Sequence, residues 1–239
     1  MSFDASKEIR QKLIYEMREG KYSGEEKLPR ETVLAAEFGI SRNHLRDVLA
    51  QLEREGFITR RHGVGTVINH HVIKVKNRMD IEAEFLDIIR QNGHEAAVSH
   101  VSFSEEPADR FVSEKIKIAE GEPVLRICRI CTADGRPAIY CEDIVEKRLI
   151  KREYDRKDFE PPIFYFLQKF CDIEAYMDLT QLHAVVADEK IADALEVAKN
   201  TPLLNMEEID YDIDGNIIFY SSQYFVDDIF EQTVLRKKL

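Results

Sequence analysis

The sequence predicts an α+β protein with two domains, and two observations support this. Apolar residues recur at helical spacing through most of 1–69, which indicates a mainly helical N-terminal domain. Strand-like segments bounded by turn residues, with helices between them, dominate 80–239, which favours an antiparallel sheet. The stretch between these regions, 70–79, is short and polar, and we predict that it is a linker.

Charge is divided between the two domains as unevenly as the secondary structure. The 239 residues carry a formal net charge of −11, and the negative excess lies entirely after residue 71. Because an acidic surface repels phosphate, any contact with nucleic acid would have to come from a local basic surface of the N-terminal domain. No apolar run approaches the ~20 residues that span a bilayer, and the polar N-terminus does not resemble a secretory signal. We therefore expect a cytoplasmic protein without a membrane contact.

The cysteine and histidine spacings do not indicate a metal or cofactor site. Four cysteines in a chain of this length do not make a disulfide scaffold. Cys128 and Cys131 are three residues apart on a predicted strand, so their thiols point to opposite faces and cannot share one ion. The adjacent pair His70 and His71 lacks a third ligand at useful spacing.

Three helices are predicted in the N-terminal domain. The first places Ile9, Leu13 and Met17 on one apolar face. The second covers 31–38 and the third covers 42–55, with a glycine-bearing turn between them. Two short helices joined in this way are typical of a helix-turn-helix.

The third helix is predicted to have a buried side and a polar, basic outer side. Ser41 has the composition of an N-cap. At 100° per residue, one stripe contains Leu45, Val48, Leu49 and Leu52. The outer side of its first turns carries Arg42, Asn43, His44 and Arg46. Arginine suits guanine and asparagine suits adenine in the major groove, although an ordinary helical bundle with a solvated face remains an open alternative.

A basic hairpin is predicted directly after the third helix. Two strand-like segments, 57–61 and 66–68, enclose a tip that contains Arg61, His62, Gly63 and Gly65. The glycines permit a tight turn, and a slender basic tip can lie along a sugar-phosphate backbone. Three helices followed by such a wing predict a winged helix-turn-helix domain.

At this point the sequence resembles the GntR family of bacterial transcription regulators, over about residues 6–69. The resemblance rests on Leu28-Pro29-Arg30-Glu31, Phe38-Gly39-Ile40-Ser41-Arg42, Leu52-Glu53-Arg54-Glu55-Gly56-Phe57-Ile58 and Arg61-His62-Gly63-Val64-Gly65-Thr66. It implies that Arg42 and Arg46 contact DNA from the recognition helix, and His62 and Gly63 from the wing. One departure concerns the arginine that usually follows Pro-Ser-Glu in the family. Thr32 occupies that position here, and whether Arg30 substitutes for it is left open.

The C-terminal region resembles the UTRA effector domain of the HutC subfamily, whose fold is related to chorismate lyase. Predicted strands cover about 96–103, 124–132, 137–145, 175–187, 203–212 and 217–226, and we find no internal repeat. The segments that carry the resemblance include Arg129-Ile130-Cys131-Thr132-Ala133-Asp134-Gly135-Arg136-Pro137 and Asp214-Gly215-Asn216-Ile217-Ile218-Phe219-Tyr220-Ser221-Ser222.

A hairpin at Asp134-Gly135 sets the predicted surroundings of Arg129. If these two residues form the turn, Arg126 faces Asp143 and Arg129 faces Tyr140. Arg129 then lacks a directly opposed acid, and it is either balanced by the diagonal Glu142 or binds an anionic effector. The other candidates for the effector site are Tyr140, Glu142, Ser222 and Tyr224. In many UTRA relatives an Arg-x-Arg pair grips a sugar phosphate, but Cys131 replaces the second arginine here. A carboxylate or a less charged ligand therefore suits the site as well as a phosphate.

Together these features predict a ligand-responsive, sequence-specific transcription regulator, a repressor released by a small anionic metabolite. A homodimer on a palindromic operator in double-stranded DNA is expected, because one winged helix buries little surface. We expect no catalytic residue. Two alternatives stay open: a lyase-like enzyme with an appended DNA-binding domain, and a DNA-binding protein that needs no ligand.

Overall fold

The computed structural model describes residues 3–238 and divides them into two units. One unit contains residues 3–82 together with 232–238, and the other contains 83–231. The predicted division placed the whole of 80–239 in the second domain. The last residues of the chain instead belong to the first unit, because they pair and pack there rather than on the sheet.

The first unit is a three-helix domain with a hairpin. Its elements are α1 (Phe3–Arg18), α2 (Glu31–Glu37), α3 (Arg42–Arg54), β1 (Ile58–Arg61), β2 (Gly65–Ile68) and α4 (His70–Ile73). Leu13 and Met17 of α1 are fully buried in one core with Leu34 of α2 and Leu49 of α3. The apolar periodicity of the sequence therefore identified the helices and the side of each that packs inward.

The predicted linker at 70–79 is not a free connection. Residues 70–73 form the short helix α4, and its Val72 and Ile73 are buried in the core of the first unit. His70 adds a contact of 2.8 Å between its Nε2 and the carbonyl oxygen of Glu25. The polar composition around these two apolar residues concealed their burial.

The second unit is built on a six-stranded antiparallel sheet, as predicted for an α+β domain. Its elements are α5 (Phe85–Gln91), β3 (Ala96–Pro107), α6 (Arg110–Ile116), β4 (Pro123–Ala133), β5 (Arg136–Glu146), α7 (Ile163–Phe166), β6 (Met177–Val186), α8 (Glu189–Leu195), β7 (Pro202–Tyr211) and β8 (Ile217–Val226). The strand order is β3-β4-β5-β8-β7-β6. Helices α6 and α8 pack on one face, and α5 and α7 pack on the other.

The second unit contains an internal structural repeat, which corrects the expectation that there is none. The segment β3-α6-β4-β5 and the segment β6-α8-β7-β8 occupy the two halves of the sheet in mirrored order. Asp109 and Asp188 accept equivalent N-cap bonds in α6 and α8. In each half, the strand that follows an Asp-Gly turn contains one extra residue without a partner on the preceding strand, Ala138 in β5 and Ile218 in β8. The repeat lies in caps, turns and bulges, so few identical residues reveal it.

Within residues 3–238, every helix is too short or too polar to serve as a membrane span. Across the same residues, His, Cys, Asp and Glu side chains nowhere gather into a group that would bind a metal ion. The four cysteines are free thiols.

Candidate nucleic-acid interface and effector site

The N-terminal end of α3 is capped and exposed. Ser41 accepts a hydrogen bond of 3.2 Å from the backbone N–H of His44, which confirms the predicted N-cap. The predicted inner stripe is also confirmed, since the buried residues of α3 are Leu45, Val48, Leu49 and Leu52. This packing fixes the rotation of the helix, so Arg42 and Asn43 face solvent at its first turn.

The two arginines on the outer side of α3 differ in their partners. The Nε of Arg46 donates to Oε2 of Glu31 at 2.8 Å, so α2 holds this guanidinium in place. Arg42 has no ion-pair partner among the side chains of residues 6–238, and Arg46 is held in one orientation by Glu31. The sequence predicted both arginines but not the role of Glu31.

His44 is less available than the sequence suggested. Its side chain is half-buried, and its Nε2 lies 2.8 Å from the hydroxyl of Ser6 in α1. Arg30 and Thr32 are both exposed at the start of α2, where Arg30 directly precedes the first helical residue. Arg30 and Thr32 are thus accessible to DNA, whereas the imidazole of His44 is in contact with α1.

The hairpin between β1 and β2 forms the predicted wing. Arg61 pairs with Gly65 across the hairpin, and the residues of the tip are exposed. Gly63 has φ +76° and Gly65 has φ +107°, a region that residues with side chains rarely adopt, so the tip requires glycine. Arg60 donates to Glu53 of α3 through its backbone N–H and its guanidinium, both at 2.7 Å. This pair fastens the base of the wing to the helix and leaves Arg61 and His62 at the tip.

The strand register around Arg129 differs by one residue from the prediction. Ala133 lies opposite Arg136 as expected, but Ala138 is an extra residue, so Cys131 pairs with Ile139. Arg129 therefore lies opposite Cys141 rather than Tyr140. A one-residue shift moves every later side chain of β5 to the other face. Turn chemistry predicted the hairpin but could not reveal the bulge.

Arg129 is buried in a polar network on one face of the sheet. Its Nη2 donates to Oδ2 of Asp143 at 2.7 Å, and its Nη1 donates to the carbonyl oxygen of Pro161 at 3.0 Å. The other carboxylate oxygen of Asp143 accepts from the hydroxyl of Ser221 at 2.6 Å. The side chains of Arg129 and Asp143 are only 6% and 1% exposed. We call this side the Arg129 face, and it also carries Cys131 and Cys141.

Electrostatics keep the buried guanidinium charged. Burial alone would lower the pKa of Arg129, but neighbouring Cys141 and the carboxylate of Asp143 outweigh it and raise this pKa. Burial also raises the pKa of Cys131 to about 11, so this thiol is not a reactive thiolate at neutral pH. Asp143 thus replaces Glu142 as the acid that balances Arg129.

The other four predicted effector residues lie on the opposite face, which we call the Tyr140 face. Glu142 accepts from the hydroxyl of Tyr140 at 3.2 Å and from Nζ of Lys190 at 2.8 Å, and it also pairs with Arg126. Ser222 accepts from Nδ2 of Asn205 at 3.0 Å, and the rings of Tyr140 and Tyr224 lie 6.2 Å apart. One pocket therefore cannot be lined by Arg129 together with Tyr140, Glu142, Ser222 and Tyr224. The predicted pairing of Arg126 with Asp143 is wrong for the same reason.

Two family models match most of the chain. Residues 5–68 match the model of bacterial regulatory proteins of the gntR family, and residues 91–231 match the model of the UTRA domain. The first match covers α1 to β2, and the second covers the sheet that carries Arg129.

Individual proteins resemble the chain over four-fifths of its length or more. It is 23% identical to the histidine utilization repressor of Pseudomonas putida, over 82% of this chain and 77% of that protein. It is 21% identical to the mannosyl-D-glycerate transport/metabolism system repressor of Escherichia coli, over 97% and 95%. The crystal structure of YydK from Bacillus subtilis superposes with a TM-score of 0.76 at 19% identity, covering 98% of this chain and 99% of that one. At this identity, the superposition demonstrates the shared fold.

Proposed function

We propose that this chain, which belongs to the GntR family of bacterial regulatory proteins in the HutC-like group with a UTRA domain, is a transcriptional repressor. It would bind a palindromic operator and dissociate from it when a small metabolite binds. As a member, it is a DNA-binding transcription regulator that responds to a ligand. The matched families are regulatory, which disfavours the lyase-like alternative. The sign of regulation, the operator symmetry and the nature of the ligand are parts of the proposal.

The main support for the proposed DNA-binding surface is the exposed N-terminal end of α3. The capped end of α3 exposes Arg42 and Asn43, while its opposite side is fixed by four buried apolar residues. A guanidinium and an amide at the start of a recognition helix match the donor and acceptor patterns of guanine and adenine. The wing adds Arg61 and His62, which suit the sugar-phosphate backbone.

Glu31 gives Arg46 a defined direction before DNA is bound. A surface ion pair adds little to stability, so its value here lies in limiting the positions of a long side chain. A pre-oriented guanidinium loses less freedom when it contacts a base. Arg46 is therefore the second base-reading candidate after Arg42.

A homodimer would supply the second winged helix. Strand β6 lies at the edge of the sheet, and several of its apolar side chains are exposed, including Met177, Leu179 and Leu182. An exposed apolar edge strand favours pairing with another strand, and a second copy of the chain is the simplest partner. Two identical reading heads would then match two half-sites of a palindrome.

We place the effector on the Arg129 face. A buried ion pair seldom stabilises a protein more than apolar residues of the same volume would. The pair of Arg129 and Asp143 lies between hydrophobic clusters, so we infer that it serves ligand binding and not stability. Asp143 already balances the charge of Arg129, and Cys131 supplies no second cation. A ligand with a single carboxylate, or one without charge, suits this face better than a doubly charged phosphate. A histidine utilization repressor among the relatives is compatible with a small ligand of this kind.

Selection from a random duplex pool tests the DNA-binding proposal. The full-length chain should enrich one palindromic sequence whose half-site centres lie about one helical turn, or a multiple of it, apart. Sedimentation of the protein alone should give the mass of a dimer. Failure to prefer any sequence over random duplex, across a range of salt concentrations, would overturn the proposal.

A melting screen with small metabolites tests the effector site. Monocarboxylates and uncharged compounds should include a ligand that raises the melting temperature of the wild-type chain and weakens its binding to the selected duplex. The same compound should have no effect on the double variant Arg129→Met/Asp143→Leu. A sugar phosphate acting equally on both proteins would place the effector elsewhere.

A further inference from the structure

The C-terminal end of α3 is held by two segments that are far apart in the sequence. One segment contains residues 77–80, just before the second unit begins, and the other contains residues 232–238, just after it ends. We call the latter the C-terminal strap. Both segments belong to the same unit as α3.

The strap and the first segment pair through their backbones. The N–H of Met79 donates to the carbonyl of Thr233 at 2.9 Å, and the N–H of Thr233 donates to the carbonyl of Asn77 at 3.3 Å. The N–H of Leu235 donates to Oδ1 of Asp80 at 3.2 Å. These bonds fix the course of the strap over several residues.

Two cations from these segments satisfy the last carbonyl groups of α3. Nζ of Lys237 donates to the carbonyls of Glu53 and Arg54 at 2.6 and 3.0 Å, and Nη1 of Arg78 donates to the carbonyl of Glu55 at 2.5 Å. The final carbonyls of a helix have no partner within the helix, and positive charge at this end also offsets the helix dipole.

The strap also packs against the turn that follows α3. Leu235 contacts the hydrophobic core of the first unit. Gly56 adopts φ +83°, and a Cβ built there would lie 2.5 Å from Cδ2 of Leu235. The guanidinium of Arg78 lies 5.1 Å above the ring of Phe57. The strap therefore covers the same helix end that its lysine caps.

We propose that Lys237, Leu235 and Arg78 are positioning residues for DNA recognition, and that the C-terminal strap is a working part of the DNA-binding unit. The inference rests on the proposed function, because it concerns the same recognition helix. The chain enters the second unit after Glu82 and leaves it at Glu231, so both covalent connections lead directly to this end of α3. A change in the second unit that pulls on either connection would loosen the helix that reads the operator.

The test uses full-length variants and the duplex that the wild-type chain selects. Lys237→Met should lower affinity for this duplex about fivefold, since a frayed helix must be reordered before it binds. Amide hydrogen exchange should become faster at residues 54–57, whereas the salt dependence of binding should stay the same, because no phosphate contact is lost. Lys237→Arg should restore both affinity and protection. Leu235→Ala should act in the same direction as Lys237→Met.

Lys238→Met is the matched control, because it removes the same charge from the neighbouring exposed position. It should bind and exchange like the wild type. Equal losses in Lys238→Met and Lys237→Met would mean that the strap acts only through its charge, and would overturn the inference. So would wild-type affinity and exchange in Lys237→Met. A wild-type chain that selects no duplex would instead overturn the proposed function, and this inference with it.

Discussion

The arginines that we propose for DNA binding and the arginines of the sheet have different surroundings. In the first unit, Arg42 and Arg61 are exposed, and among the side chains that the structure describes, those of residues 6–238, neither forms an ion pair. In the second unit, Arg129 is buried against Asp143, and Arg126 pairs with Glu106 and Glu142. Exposed arginines thus lie where a polyanion would bind, although Arg46 among them pairs with Glu31. In the sheet, Arg126 and Arg129 are paired with carboxylates that are half-buried or buried.

The contrast shows why an acidic protein can bind DNA. The net charge of −11 says little about the local field, because the surface of α3 and the wing carries exposed cations of its own. It also shows what the sheet does with Arg129. A guanidinium that already has a carboxylate partner can recognise a ligand only if the ligand shares or replaces that partner.

Removing Asp143 should have the largest effect. Asp143→Ala leaves the guanidinium of Arg129 buried without a carboxylate, and breaking such a pair costs about 3–5 kcal/mol in the free energy of unfolding. Urea denaturation followed by circular dichroism measures the change.

The double variant Arg129→Met/Asp143→Leu is the control for this prediction. It removes both charges and fills the space with apolar atoms, so it should lose clearly less free energy of unfolding than Asp143→Ala. The remaining loss should be about 1–3 kcal/mol, because the buried hydroxyl of Ser221 keeps no acceptor. An equal loss of stability in Asp143→Ala and the double variant would mean that Asp143 acts through packing and not through charge.

Arg42→Ala should separate DNA binding from stability. If Arg42 reads a base edge, the variant should lose about 1–3 kcal/mol of specific binding free energy, measured by fluorescence anisotropy on the selected duplex. Its melting temperature should not change, because Arg42 forms no ion pair with any side chain of residues 6–238. Arg136→Ala is the control, since Arg136 is an exposed arginine of the second unit that pairs with Asp228. A similar loss of binding in both variants would show that bulk charge, and not Arg42 itself, determines affinity.

The sequence predicted the fold well because the fold depends on local patterns. The stripe from Leu45 to Leu52 defined the orientation of α3, and Asp134-Gly135 defined a hairpin at the correct place. What it missed depends on contacts between distant residues. Nothing near residue 231 shows that the chain returns to the first unit, since that choice depends on the carbonyl groups of α3 and on the space above Gly56.

The candidate effector site was the part least accessible to sequence reasoning. Arg129 was identified from its apolar neighbours. Its other predicted neighbours were wrong, because the extra residue Ala138 places Cys141 opposite Arg129 in the position predicted for Tyr140. A bulge has no reliable composition, and Ala138 looks like any other strand residue. The second half of the sheet has a bulge at the equivalent residue, Ile218, and that bulge too is visible only in the structure.

Arg61→Ala should have a smaller and different effect from Arg42→Ala. A phosphate contact carries no sequence information, so affinity should fall by a similar factor on the selected duplex and on random duplex. The slope of log affinity against log salt should become less steep by about 0.9, which is the contribution of one phosphate contact. Binding isotherms at four or five salt concentrations measure this slope. An unchanged slope together with lost sequence preference would move Arg61 from the backbone contacts to the base-reading set.

The smallest effect concerns the partly exposed ion pairs of the Tyr140 face. Burial would raise the pKa of Glu142, but Lys190 and Arg126 outweigh it and hold this pKa below its usual value of 4.5. A lowered carboxyl pKa contributes stability that is present above the unfolded value and is lost as the pH falls through the folded value. The wild type should therefore be more stable than Glu142→Gln at neutral pH by less than about 1 kcal/mol, since these partners are partly solvated. That difference should shrink between about pH 5 and pH 3, measured from urea midpoints. If the stability difference stays constant over this range, Glu142 contributes only as a hydrogen-bond acceptor and its charge does not matter. Charge would then matter for the buried Asp143 and not for Glu142.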